Sequence, residues 1–451
     1  LAQSNLEIDP DRVYLTGHSM GGHGTWHLAT LHPDRFAAAG PSAGWITYWS
    51  YRREPPSDAS SPIKDMLSRA TLTSRTLEKA SNLAPLGLYV LHGAEDDNVP
   101  PEQSHLMLER LEDFHRDFVY HEEPEVGHWW DLSDEPGADC VAWAPMFDFF
   151  ARHRRPAIEE VRDLSFLTPN PAVSSWHHWA GIQRQQRPFE MSSVELHLDP
   201  WRARVNGTTA NVEVLGLGLS HLGTDSVRIE LDGEVLVVPM PKGGPLWLER
   251  RDVWTHVRHT DPALRGAHRN GGFRDAFTNR PQLVYGTQGT AEETAMLLAK
   301  ARFDAEYLWY QGNSSLDVLP DTAFDPAADP DRNVVVYGNA AQHLHWDALV
   351  DSVVRVGVDE VLLGGEASTG DLGVLAIRPR VGSDTASVGI VAGTSPTGFR
   401  LTERRPYLRG GFAYPDFTLL RHRGDAIVEA AGFFGNDWTV ESGDFVHAEN
   451  D

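Results

Sequence analysis

Gly17-His18-Ser19-Met20-Gly21 sets one serine between two glycines, directly after the short apolar run Arg12–Thr16 and directly before a helix-like stretch from Gly21 to Leu31. A serine hydroxyl attacks a carbonyl only when a base takes its proton. The G-x-S-x-G spacing between a strand and a helix is that of a nucleophile elbow. Such a turn forces the serine into a strained backbone conformation and lifts its hydroxyl to the positive end of the helix. Side chains at 17 or 21 would clash there. The backbone N–H of Met20 is then placed to donate to an oxyanion. The chemistry is nucleophilic acyl transfer.

An activated serine also needs a base, and the base an orienting carboxylate. His92-Gly-Ala-Glu-Asp96-Asp97-Asn-Val-Pro100 follows the strand-like run Leu86–Leu91. Here the sequence resembles the prolyl-oligopeptidase-like and related esterase branches of the α/β-hydrolases, whose acid loop reads H-G-x-x-D-x-x-V-P. The resemblance places the acid at Asp96, with Asp97 as competitor or as a solvated loop carboxylate. It also implies the order serine, acid, histidine, so the base should follow the next strand, where Val126-Gly127-His128-Trp129-Trp130 stands. The glycine permits a tight loop, and the tryptophans can wall the imidazole from water. His128 is the candidate base. His121 lies in a strand and His92 in the acid-loop scaffold, so both read as structural.

The resemblance covers about the first third of the chain. It implies a serine hydrolase cleaving peptide bonds through a Ser19–Asp96–His128 triad and an acyl-enzyme, with Met20 N–H in the oxyanion hole. A carboxylesterase or depolymerase would use the same motifs. A binding or scaffold protein, with its function in the remaining residues, is the reading from another class. His18, Trp45, Trp49 and Trp129 are candidates to line a substrate pocket, with Tyr51 beside them; core packing is the other reading for Trp45, Trp49 and Tyr51. A secreted or periplasmic location is implied by the family, and residues 157–451 are similar to the long C-terminal extensions of its bacterial members. About four strands normally precede the elbow, and the loop after the third supplies a second oxyanion donor. Only Leu1–Asp11 precede it here. The expectation is therefore a piece of a longer protein whose upstream segment is needed to complete the sheet, and any targeting segment would lie upstream of Leu1.

The elements that must hold these residues read as α/β: the C-terminal half of an α/β-hydrolase sheet, then a small β-sandwich, then a second α/β domain. Residues 1–156 alternate strands (Arg12–Thr16, Phe36–Gly40, Leu86–Leu91, Phe118–His121) with helices (Gly21–Leu31, Pro101–Phe114, Ala138–His153). A polar insertion of helices, Ile46–Pro85, interrupts them. Residues 157–265 give a connector, Pro156–Pro188, broken at Pro169-Asn170-Pro171, followed by a small antiparallel β-sandwich. Asp232-Gly233 marks a type I′ hairpin within it. Residues 266–451 resume the α/β rhythm. Leu283–Gly286 and Val334–Gly338 are its similar strand ends, and Thr290 with Glu293 forms a capping box. Gly286-Thr-Gln-Gly289 before that helix is either a plain turn or an anion cradle, without dinucleotide or P-loop spacing. Trp176-His177-His178-Trp179 reads as structural, since neighbouring histidines on a strand cannot face one metal.

The 451 residues suggest two or three domains. A formal charge of −25 repels nucleic acid and is not attracted to an anionic membrane. No apolar stretch approaches the roughly 20 residues of a membrane helix. Lys64, Lys79, Lys242 and Lys300 are the only lysines, the other basic residues being arginines, a bias that fits a GC-rich genome or a salt-adapted surface. Cys140 is the sole cysteine and reads as a small buried hydrophobe. No cluster has metal spacing, and no cofactor is expected.

Overall fold

The computed structural model describes residues 8–47, 50–51, 61–423 and 426–448. Four parallel strands lie side by side in chain order: β1 (Tyr14–His18), β2 (Ala38–Ser42), β3 (Gly87–Gly93) and β4 (Phe118–Glu123). β2 and β3 are buried along their whole length, as strands covered on both faces must be. Among the described residues β1 forms an edge of this sheet, and it is only half-buried.

Strand alternation sends side chains to two different cores. Leu88 and Val90 meet Trp26, Met107, Leu108 and Leu111 on one face. Tyr89 and Leu91 meet Trp130, Cys140, Met146 and Phe150 on the other. The helix α1 (Met20–Leu31) starts at the end of β1 and buries Trp26, Ala29 and Leu31. Pro33 then opens a short 3₁₀ turn where the sequence predicts the helix to stop. The helix expected over Ala138–His153 is shorter, Ala144–Phe150. Pro145 is tolerated only in a first turn, so the preceding residues wind as turns braced by Asp139, whose carboxylate accepts from the N–H groups of Leu132 and Ser133 at 2.8 Å each.

The stretch expected as a connector contributes strands. Asp163–Thr168 pairs with Ser192–Asp199, and Ala180–Gln185 with Val212–Leu217. Leu164, Phe166 and Thr168 point inward at every second position, so Pro169-Asn170-Pro171 merely ends a strand. The sandwich has two five-stranded sheets. It is not wholly antiparallel: Arg204–Ala210 and Ser226–Leu231 run parallel, because the strand between them in sequence, Val212–Leu217, crosses to the other sheet. Asp232 and Gly233 have φ of 53° and 86°, and Leu231 pairs with Glu234, as a two-residue type I′ hairpin requires.

The four-stranded sheet and the sandwich make one compact unit, formed by Leu1–Asp58, Leu72–Gln185 and Glu190–Thr260. A second unit comprises Ala59–Thr71, Gln186–Phe189 and Asp261–Asp451. The helix Pro62–Ala70, from the insertion after β2, thus belongs to the second unit, where Met66 and Ala70 join a core with Phe189, Phe273 and Tyr407. This unit is built on an eight-stranded mixed sheet. The strands Gln282–Tyr285 and Val334–Tyr337 are parallel neighbours, Tyr285 opposite Tyr337. Thr290 and Glu293 form the capping box of the helix Ala291–Gly312. Among the described residues no helix is long and apolar enough to cross a membrane.

Candidate active site

Ser19 sits between β1 and α1 with φ 58° and ψ −114°, a conformation that costs a non-glycine residue energy and persists only where its surroundings enforce it. Two things enforce it here. The Ser19 N–H donates to the Ser42 carbonyl at 3.0 Å, and the His23 N–H donates to the Ser19 carbonyl at 3.0 Å. Close packing of glycines makes room for the turn. A Cβ on Gly17 would stand 2.6 Å from the Gly21 backbone, and one on Gly22 2.3 Å from the Ser42 carbonyl oxygen. A Cβ on Gly21 would meet nothing within 4 Å among the described residues. The expected clash at 21 thus falls at 22, because Gly22 faces the end of β2.

His128 bridges the serine to a carboxylate. Its Nε2 is 2.9 Å from Ser19 Oγ, and its Nδ1 2.7 Å from Asp96 Oδ2. A carboxylate only accepts, so hydrogen sits on Nδ1 and Nε2 is left to receive the serine proton. Asp96 Oδ1 accepts from the N–H groups of Asn98 at 3.0 Å and Val99 at 2.8 Å. Burial alone would raise the Asp96 pKa; hydrogen bonds from His92, His128 and the Val99 N–H outweigh it and hold the carboxyl below its ordinary value. His92 Nε2 donates to the Val99 carbonyl at 2.7 Å while lying 3.4 Å from Asp96 Oδ2, and its Nδ1 is 2.7 Å from Ser104 Oγ. Asp97 is exposed on the same loop. The backbone N–H of Met20 opens the first turn of α1, where no helical acceptor exists.

Around this line the aromatic candidates divide. Trp129 stands edge-on to His128 at 5.6 Å and is 67% exposed, whereas Trp130 is buried against Trp143 rather than walling the imidazole. Trp45 is stacked between His23 at 4.9 Å and Tyr51 at 4.8 Å. Tyr51 OH in turn donates to Asn98 Oδ1 on the acid loop at 3.3 Å. His23, Ser42 and Asn98 are neighbours that the sequence reading did not single out; the spacing of His23 four residues after Ser19 on α1 was the available signal. His18 is half-buried, its Nδ1 3.0 Å from Ser42 Oγ. Trp49 lies outside the described residues. His121 pairs with Glu123 at 2.6 Å and stacks on Trp143.

Two further sequence candidates lie elsewhere. His177 stacks on Phe166, the His178 N–H donates to Asp34, and Trp179 is buried with its Nε1 donating to the Val161 carbonyl. An anion cradle at Gly286–Gly289 is overturned. The carboxylate of Glu293 already accepts from the Thr290 N–H at 2.8 Å, and Glu292 adds a second negative charge to the same first turn, so an incoming anion would be repelled. Among the described residues no group of histidine, cysteine, aspartate and glutamate is arranged to hold a metal ion.

Comparison with known proteins gives the following likenesses. An uncharacterized secreted protein of Arthroderma benhamiae (strain ATCC MYA-4681 / CBS 112371) is 25% identical over 97% of this chain, which spans 48% of that relative's length. The chain thus covers about half of the curated relative it matches. The acylaminoacyl peptidase of Pyrococcus horikoshii is 19% identical over 35% of this chain and 26% of its own, with a TM-score of 0.27. A puromycin-hydrolyzing peptidase of Mycobacterium tuberculosis is 24% identical over 28% of this chain and 20% of its own, with a TM-score of 0.24. A thermostable esterase is 22% identical over 34% of each chain, with a TM-score of 0.23. The stretch that carries Ser19, Asp96 and His128 lies within the one segment, residues 1–155, that matches the model of the prolyl oligopeptidase family.

Proposed function

We propose that the chain carries the catalytic centre of a serine hydrolase that cleaves peptide bonds through an acyl-enzyme. The observation that supports this reading is the continuous line Ser19 Oγ–His128–Asp96, with 2.9 Å and 2.7 Å between partners, mounted on a strained elbow. Ser19 Oγ attacks the carbonyl carbon while His128 Nε2 takes its proton. Asp96 keeps the imidazole in its Nδ1–H tautomer and stabilises the imidazolium. The Met20 N–H donates to the oxyanion. His128 then hands its proton to the departing amine, and a water activated by the same histidine releases the acyl group.

The match of residues 1–155 to the prolyl oligopeptidase family favours amides; an esterase would share every step except the leaving group. A purely binding or scaffold role is disfavoured by the intact three-residue line. The net charge of −25 supports a substrate other than nucleic acid. The relative from Arthroderma benhamiae is a secreted protein, and we propose the same location here. The test of substrate class is a panel of aminoacyl and peptidyl amides beside acyl esters, with Ser19→Ala as control. Ser19-dependent turnover of amides supports the peptidase reading, and turnover of esters alone refutes it in favour of the esterase.

A further inference from the structure

His18 immediately precedes the nucleophile, yet its side chain takes no part in the line Ser19–His128–Asp96. Its Nδ1 lies 3.0 Å from Ser42 Oγ, and the Ser42 hydroxyl gives its one hydrogen to the Cys140 carbonyl at 2.6 Å. Ser42 Oγ therefore accepts from His18, which fixes hydrogen on Nδ1. The His18 ring centroid is 4.8 Å from that of His128 and 4.3 Å from that of Trp129. Since Trp129 also stands edge-on to His128, the rings of His18, Trp129 and His128 close a triangle with the catalytic imidazole at one corner. Cys140 ties the far side: while its carbonyl holds Ser42, its N–H donates to the Trp130 carbonyl at 3.2 Å. One polar path thus runs from the elbow across the end of β2 to the loop that carries the base.

We infer that His18 is a positioning residue: its ring, anchored through Ser42, props the loop Gly127–Trp130 and holds the His128 imidazole against Ser19. The inference rests on the function proposed above. A histidine suits the place because it joins an aromatic face to one donor. Burial, followed by the neighbouring His128, pushes its pKa down to about 4, against the opposing pull of Asp96 and the Cys140 and His128 carbonyls. At neutral pH the imidazolium that forms on His128 therefore has an uncharged ring beside it.

Two substitutions separate ring from hydrogen bond. His18→Asn keeps a donor towards Ser42 and loses the ring; His18→Phe keeps a ring and loses the donor, leaving Ser42 still bonded to Cys140. Fluorophosphonate labelling of Ser19 should slow roughly 10- to 100-fold in His18→Asn, the scale of a misplaced catalytic group, and by a smaller factor, roughly 3- to 10-fold, in His18→Phe, which keeps the ring but loses its anchor, with both variants melting near wild type. Wild-type labelling of His18→Asn, or an equal loss in both variants, overturns the inference. A wild-type protein that is folded but never labelled refutes the function beneath it. A long-range ¹H–¹⁵N histidine spectrum reads the ring independently of activity: a neutral Nδ1–H imidazole at pH 6 supports the inference, and a charged or Nε2–H ring overturns it.

Discussion

Gly22 and the Ser42 carbonyl approach so closely that a Cβ on the glycine would stand 2.3 Å from the oxygen. The same oxygen accepts the Ser19 N–H, so the contact that packs α1 onto β2 also holds Ser19 in its strained conformation. Gly22→Ala must move backbone rather than a flexible side chain. It is expected to cost about 1–3 kcal/mol and to draw Ser19 off His128. Gly21→Ala is expected to keep both stability and reactivity. Thermal melts and Ser19 labelling of the two variants check this, and equal behaviour would contradict the packing argument.

Asp96 and Asp97 are adjacent and differently placed, one buried under His128 and the other exposed. Asp96→Asn should keep the fold and lose on the order of 10³- to 10⁴-fold in kcat, because the imidazole adopts the wrong tautomer. Asp97→Asn should stay within a few-fold of wild type. Steady-state kinetics on any Ser19-dependent substrate reads the difference, and exchanged phenotypes would move the acid to Asp97.

Acid should destabilise the first unit before carboxylates begin to protonate. Burial above all pushes His18, His27 and His177 down to about 4, whereas an unfolded histidine titrates near 6.5. The unfolded chain therefore binds protons first, and stability contributed by keeping these rings neutral is lost as pH falls from about 6.5 towards 4. Asp96, held below its ordinary pKa, contributes stability above roughly pH 4 that is lost only as pH falls further. Urea unfolding followed at pH 7.5, 6 and 5 should show a falling midpoint; a flat midpoint over that range would contradict the assignment.

Asn82 joins the two parts of the first unit. Its Nδ2 donates to the Thr30 carbonyl at 2.8 Å and to the Leu167 carbonyl at 2.9 Å, while its Oδ1 accepts from the Leu167 N–H at 2.8 Å. It is 1% exposed, so water cannot replace it. Asn82→Leu strands three backbone groups and should cost about 3 kcal/mol, measured by chemical denaturation. A loss below about 0.5 kcal/mol would show that the sandwich is held to the sheet by other contacts.

What the sequence revealed about this molecule was local. The elbow, the acid loop and the Gly127-His128 turn each fit in a few residues and carry their own backbone requirements, as do the Asp232-Gly233 hairpin and the Thr290–Glu293 capping box. What escaped the reading depends on distant partners. Asp163–Thr168 alternates plainly, but its strand identity needs Ser192–Asp199 beside it. The parallel pair in the sandwich follows from a strand changing sheets, which no local pattern encodes. The helix Pro62–Ala70 has a Ser61 cap and a proline start, yet its membership of the second unit rests on Met66 and Ala70 finding a core built from residues beyond 186. Within the site, the roles of Gly22 and Ser42 come from one close backbone contact rather than from any motif.

Peptide mapping of the protein containing residues 1–451 after reaction with a fluorophosphonate tests the Ser19–His128–Asp96 centre most directly. Modification is expected on the oxygen of Ser19 alone, absent in Ser19→Ala and strongly slowed in Asp96→Asn. Modification of a different serine with Ser19 untouched, or undiminished labelling of Ser19→Ala, would contradict the assignment of the nucleophile.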